Sequence, residues 1–329
     1  MSEIHRFLFE GQPVRGQLVR LTGAWREILR RRASNTQTGA YPQAVTQLLG
    51  EMAAASVLMQ ASIRFEGALI MQIFGDGPLK LAVAEVQRDL RLRATASVAG
   101  EVAPQADLAQ LLNVTGKGRC AITLDPQGRQ PGQQAYQGVA ALVDAQGRSL
   151  PTLARVIEHY MRQSEQLDAT LVLAAGEQAA CGLLIQRLPV QGQGNLAQSN
   201  VAHDDDADDD GYARIAMLAR TLRRDELLAL DADALLRRLF WQEKLTRLTP
   251  AAADAAQQQP RFACPCSRAR MAAMLRTLGR AESESALREQ GRIEVGCDFC
   301  GRQEYFDAVD VERLFTPTQD APPVARGVQ

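Results

Sequence analysis

Four of the six cysteines in this 329-residue chain stand in two tight pairs towards its C-terminal end: Cys264 and Cys266 in RFACPCSRAR, Cys297 and Cys300 in VGCDFCGRQ. The first pair is spaced C-x-C, and the second, C-x-x-C, follows about thirty residues later. Such short spacings let the chain turn so that both sulfurs of a pair face one point. Two pairs then complete a tetrahedral thiolate shell around a single ion, for which zinc is the expected metal. Gly296 and Gly301 flank the second pair and suit a tight turn that aims backbone N–H groups at sulfur.

Three uses of such a module stay open on these residues. It can be a structural rivet, because a domain of roughly fifty residues has too little core to fold unaided and bound metal supplies the difference. It can be a redox device, because metal-held thiolates remain nucleophilic towards peroxide or hypochlorous acid, and their oxidation removes the ligands that keep the domain folded. It can be a zinc-ribbon adaptor that binds nucleic acid or one specific protein. Residues 261–316 carry nine arginines and nine acidic residues, which argues against nucleic acid, since a binding finger shows a basic face. A zinc enzyme needs an open coordination position, and four thiolates leave none. No Ser/His/Asp set, H-E-x-x-H or dinucleotide fingerprint occurs, so no enzyme is expected.

The formal net charge of -1 sets up no global field towards nucleic acid or an anionic membrane. The longest apolar run, AAASVLM at 53–59, is far too short to span a bilayer, and the first residues lack the apolar core of a secretory signal. A reducing cytoplasm is therefore the expected compartment. There, clustered cysteines are more often metal ligands or redox centres than standing disulfides.

The elements that must carry this module read as an α+β fold, with a largely antiparallel sheet core, helices, a helical linker and a small C-terminal zinc-binding domain. Residues 1–190 form the core domain. Pro42 opens a helix with Val45, Leu48, Leu49, Met52 and Leu58 near one face. Residues 68–86 read as a hairpin around Gly75-Asp76-Gly77-Pro78; without GxxxxGK[ST] or a following helix, that turn is no phosphate loop. RLRATASV, CAITLD, AYQGVAALVD, ATLVLAAG and CGLLIQRLP are further strands, and SLPTLARVIEHYMRQSEQ is a helix. Cys120 and Cys181 sit in strand contexts as small core residues. His5, His159 and His203 have no partners at ligand spacing.

Residues 191–260 are expected to form a flexible and helical, redox-sensitive linker. Its first part is polar and then acidic, with six Asp between 204 and 210, too poor in apolar surface to order itself. The segment 212–248 is apolar and helical. Ile215, Leu218 and Leu222 share one face, and Asp231 or Asp233 caps a helix bearing Leu235, Leu236, Leu239 and Phe240. The zinc-binding domain spans 261–316, and a disordered tail is expected over 317–329.

FACPCSRARMAAML followed by VGCDFCGRQEYFD resembles the zinc module of the redox-regulated 33 kDa heat-shock chaperone family of bacteria. FLFEGQPVRGQLV, GDGPLKLAV and YMRQSEQL are similar to stretches of that family in the same order, so the likeness covers nearly the whole chain. The resemblance implies an ATP-independent holdase, inactive when reduced and zinc-bound. Oxidation then joins Cys264 to Cys266 and Cys297 to Cys300, zinc leaves, the module and linker unfold, and the protein, as a homodimer, captures unfolding client proteins. Pro265 is a departure, because it stiffens the first pair against the geometry a disulfide demands. Segment 212–248 needs cover at rest, so Leu235, Leu236, Leu239 and Phe240 are the expected client-binding residues once unmasked.

Overall fold

Alternating apolar residues build two sheets that share one buried helix. The computed structural model describes residues 1–35, 38–63, 65–128, 134–189, 205–248 and 259–316. The start of the expected linker, 191–204, and the expected tail, 317–329, lie outside the described residues. A hairpin of β1 (Glu3–Phe9) and β2 (Val14–Leu21) leads into α1 (Gly23–Ala33) and the long α2 (Gln43–Ser62). A meander of β3 (Gly67–Phe74), β4 (Leu79–Gln87) and β5 (Arg91–Val98) follows, then the short α3 (Leu108–Leu112). The strands β6 (Arg119–Pro126) and β7 (Tyr136–Ala141), α4 (Leu153–Ser164), and the hairpin β8 (Ala169–Ala175) and β9 (Ala180–Arg187) complete the expected core.

Beyond it come α5 (Asp205–Arg220), α6 (Arg224–Ala229), α7 (Ala232–Leu239), β10 (Leu245–Leu248) and β11 (Arg261–Phe262). One sheet has the order β10-β1-β2-β9-β8 and the other β11-β5-β4-β3-β6-β7. All their pairings are antiparallel except that of β11 with β5. The α+β reading with largely antiparallel sheets is what the structure has.

Three local expectations change. α2 is not amphipathic: Ala53, Ala54, Ala55, Val57 and even Ser56 and Gln60 are buried along with the apolar face, because the helix packs against both sheets. The acidic tract is helical from Asp205 on. Residues 245–248, expected within a helical segment, form an edge strand paired with β1, with Leu8 opposite Thr246. The Gly75–Pro78 turn joins β3 to β4 as expected. Its two glycines let the backbone lie directly against the carbonyls of Leu111 and Leu112, leaving no room for a Cβ.

The first sheet is buried on both faces. Along β9, Ala180 and Leu184 face α2, while Cys181, Leu183 and Ile185 face a second cluster with Phe7, Phe9, Ile215, Leu222, Leu235 and Phe240. The segment α5–α7 is thus the lid of this second face. Polar ties fasten it: Arg20 of β2 donates to the carbonyls of Leu228 at 2.6 Å, Leu230 at 3.0 Å and Leu227 at 3.4 Å. Arg224 pairs with Glu51 of α2 at 2.5 Å and donates to the Ala175 carbonyl at 3.3 Å. Burial raises the Glu51 carboxyl pKa, and the Arg224 guanidinium opposes that.

The chain divides into two compact units, Met1–Ala263 and Cys264–Gln329. The second contains α8 (Arg268–Leu278), α9 (Arg280–Gln290), the hairpin β12 (Ile293–Gly296) and β13 (Gln303–Phe306), and α10 (Ala308–Phe315). Among the described residues its core is seven buried apolar ones, including Met271, Leu275, Val295 and Phe306. So few are marginal for a domain of this size without a further tie.

Removing the Arg20 guanidinium leaves three backbone carbonyls of the lid without that donor, a loss of about 1–3 kcal/mol. In Arg20→Ala, hydrogen–deuterium exchange of residues 224–239 is expected to rise by about ten-fold or more, while α2 keeps its protection.

Candidate metal centre

Each cysteine pair is placed by a short piece of regular structure. Ser267 caps α8 by accepting from the Arg270 N–H, and Cys264 and Cys266 lie in the non-helical chain just before the helix. Cys297 and Cys300 occupy the turn between β12 and β13. There the Cys297 N–H donates to the Arg302 carbonyl at 2.9 Å, and the Gly301 N–H to the Cys297 carbonyl at 2.8 Å. Gly301 has φ +70°, a left-handed conformation that suits glycine. Gly296, expected to serve the turn equally, sits in ordinary strand backbone with open space around it.

The four sulfurs converge. Cys264 Sγ lies 3.6 Å from Cys297 Sγ, Cys266 Sγ lies 3.1 Å from Cys300 Sγ, and all four fall within 4.8 Å of one another. Sulfurs bound tetrahedrally at about 2.3 Å from one zinc ion are separated by roughly 3.8 Å, so the donor set and its spacing fit such an ion. Cys300 is buried and the other three are half-buried.

The electrostatics ask for a cation. Burial, followed by the Cys300 and Cys264 thiols, pushes the Cys266 thiol up to about 12. Cys297 is raised too, first by the Cys264 thiol and then by burial, against the amide groups of Cys300 and Phe299, which favour its thiolate. Crowded thiols resist becoming thiolates together, and a bound dication removes that resistance. Among the described residues, these four cysteines are the one cluster of three or more His, Cys, Asp or Glu side chains that can hold a metal ion.

The remaining thiols differ. Cys120 on β6 and Cys181 on β9 are buried in the two apolar clusters, as expected of core residues. Burial pushes Cys120 up to about 12 and Cys181 up to about 11. His5 lies 3.5 Å from Glu3, and His203 is outside the described residues.

Leu235, Leu236, Leu239 and Phe240 are not a surface patch. They are between 1% and 3% exposed, and the Phe240 ring packs edge-on to Phe9 with centroids 5.0 Å apart. Their counterparts on the sheet, Phe7, Phe9, Leu183 and Ile185, escaped the sequence reading. The unbroken apolar run of β9 was the available signal, since a strand buried on both faces loses its alternation.

The similarity to known proteins follows the whole chain. The family model described as "Hsp33 protein" matches residues 2–307. The 33 kDa chaperonin of Chromobacterium violaceum is 44% identical over 314 residues, covering 95% of this chain and 94% of its own. The chain belongs to the Hsp33 family. The 33 kDa chaperonin of Methylobacillus flagellatus is 39% identical over 96% of this chain and 94% of its own. The crystal structure of the Thermotoga maritima 33 kDa chaperonin shares the fold, with a TM-score of 0.70 at 17% identity, over 95% of this chain and 98% of that one. As an Hsp33 family member the protein is a chaperone rather than an enzyme. Among the described residues, no helix is long and apolar enough to cross a membrane.

Cys120 and Cys181 are each 1% exposed, so the folded core keeps a reagent from reaching them. Alkylation of the reduced, chelator-treated protein, mapped by mass spectrometry, is expected to label Cys264, Cys266, Cys297 and Cys300 and to leave Cys120 and Cys181 unlabelled until denaturant is added.

Proposed function

We propose that this protein is a redox-regulated, ATP-independent holdase of the cytoplasm, held inactive by one zinc ion on Cys264, Cys266, Cys297 and Cys300. The convergence of four sulfurs within 4.8 Å, in a unit with seven buried apolar core residues, is the observation that carries the reading. Bound zinc keeps the four sulfurs deprotonated and ties the two limbs of the small unit together.

Oxidation acts on the cysteines. Within a pair, two thiolates give up two electrons to hydrogen peroxide: an S–S bond forms, the O–O bond breaks, and two protons from solvent complete two waters. Pairing Cys264 with Cys266 and Cys297 with Cys300 follows the family resemblance; at rest Cys264 lies 3.6 Å from Cys297 and Cys266 lies 3.1 Å from Cys300, across the pairs. Either pairing consumes the ligand set. With the ligands gone, zinc is released and the unit loses the tie that supplements its core.

The rest of the switch lies in the chain that precedes Cys264. β11 adds Arg261 and Phe262 to the edge of the second sheet, and the lid segment stands just upstream. Unfolding that spreads from the metal unit into this segment lifts α5–α7 and uncovers Leu235, Leu236, Leu239 and Phe240 together with the sheet face beneath them. An apolar surface of that kind binds partly unfolded client proteins under oxidative and heat stress. Two oxidised copies sharing such surfaces form the expected homodimer.

The reading is tested on the peroxide-treated, heated protein. Protection of a thermally aggregating client should appear only after oxidation, and peptide mapping should find disulfides within each pair. Peptides joined across the pairs would overturn the assigned pairing, and equal protection by the reduced protein would overturn the switch. Replacing Leu235, Leu236, Leu239 and Phe240 by serine should lower the protection given by the oxidised protein; unchanged protection rules those residues out.

A further inference from the structure

A four-sulfur centre needs its two limbs of chain in register, and one side chain joins those limbs without any ion. Arg268 follows Cys266 by two residues and opens α8. Its guanidinium leaves that limb and reaches the other. Nη1 donates to the Tyr305 carbonyl at 2.7 Å and to the Glu304 carboxylate at 3.3 Å, and Nη2 donates to the Asp310 carboxylate at 2.6 Å. The guanidinium carbon also stands 4.4 Å over the Phe306 ring. Glu304, Tyr305 and Phe306 belong to β13, the strand that leaves the Cys297–Cys300 turn, and Asp310 lies in the first turn of α10.

Each contact is partly solvated and small by itself. Together they fix a planar, five-donor group in one orientation, which a point charge such as lysine cannot reproduce. Among the described residues, other arginines of α8 and α9 make different ties. Arg276 joins α8 to the far end of α10 through the Leu314 carbonyl, and Arg280 pairs with Glu284 and Glu312.

We propose that Arg268 is the positioning residue of the metal centre. By clamping the C-x-C limb to the C-x-x-C hairpin, it holds the second pair of sulfurs near the first before an ion bridges them. Capture of the second pair then resembles an intramolecular step, with its high effective concentration. This inference rests on the proposed zinc site and adds a residue that decides how tightly the ion is held, and so how readily the switch is thrown.

The test uses the full-length, reduced, metal-stripped protein. It is titrated with cobalt(II), followed by its thiolate absorption, and with zinc in competition with a chromogenic chelator. Arg268→Gln should need about ten-fold more metal, or more, for half-saturation, yet reach the wild-type tetrathiolate spectrum at saturation. Arg268→Lys should fall between the two, and Arg276→Gln should match wild type. Equal half-saturation in Arg268→Gln and wild type overturns the proposal. So does equal loosening in Arg276→Gln, which marks a general loss of stability. If Arg268→Gln never reaches the spectrum, Arg268→Lys decides: binding as tight as wild type overturns the clamp, and weaker binding upholds it. A wild-type protein that takes up no metal refutes the zinc site itself, and the clamp falls with it.

Discussion

Four sulfur atoms within 4.8 Å of one another cannot all be thiolates unless a cation sits among them. That constraint governs the C-terminal unit. The seven apolar residues buried there are few for a stable domain, and the two limbs that bear the cysteines come from separate stretches of chain. Whatever holds the sulfurs together therefore contributes directly to folding, and whatever removes them subtracts the same amount.

The first unit has the opposite problem: it has more apolar surface than its own sandwich can use. α2 and one face of each sheet already make a continuous core. The other face of the first sheet carries Phe7, Phe9, Leu183 and Ile185, and among the described residues α5–α7 with Phe240 cover it. Much of the polar fastening of that lid is local and visible, as in the Arg20 donors and the Glu51–Arg224 pair. On the proposed reading the two problems answer each other, because a unit kept folded by metal lies directly downstream of a lid that hides an adhesive surface.

The sequence showed the metal centre more clearly than the fold around it. Cysteine spacing is a local property, and four thiols in two short motifs can serve few purposes, so the ligand candidates needed no tertiary information. The same holds for the hairpin at Gly75–Pro78 and the Asp231 cap of α7, whose signals lie within a few residues. What was not legible depends on distant partners. The all-round burial of α2 comes from a second sheet, the strand at Leu245–Leu248 exists because β1 offers an edge, and Arg268 looks like any surface arginine until β13 and α10 are placed beside it. The Asp tract is helical from Asp205 on, although its composition opposes a core.

One measurement bears most directly on the account. Zinc released from the reduced protein is followed with a colorimetric chelator during peroxide treatment at raised temperature, while protection of a thermally unfolding client is recorded on the same samples. The account predicts that zinc loss and protection rise together and that a thiol reductant with zinc reverses both. Zinc loss with no gain in protection would contradict it and leave the four cysteines a structural tie alone.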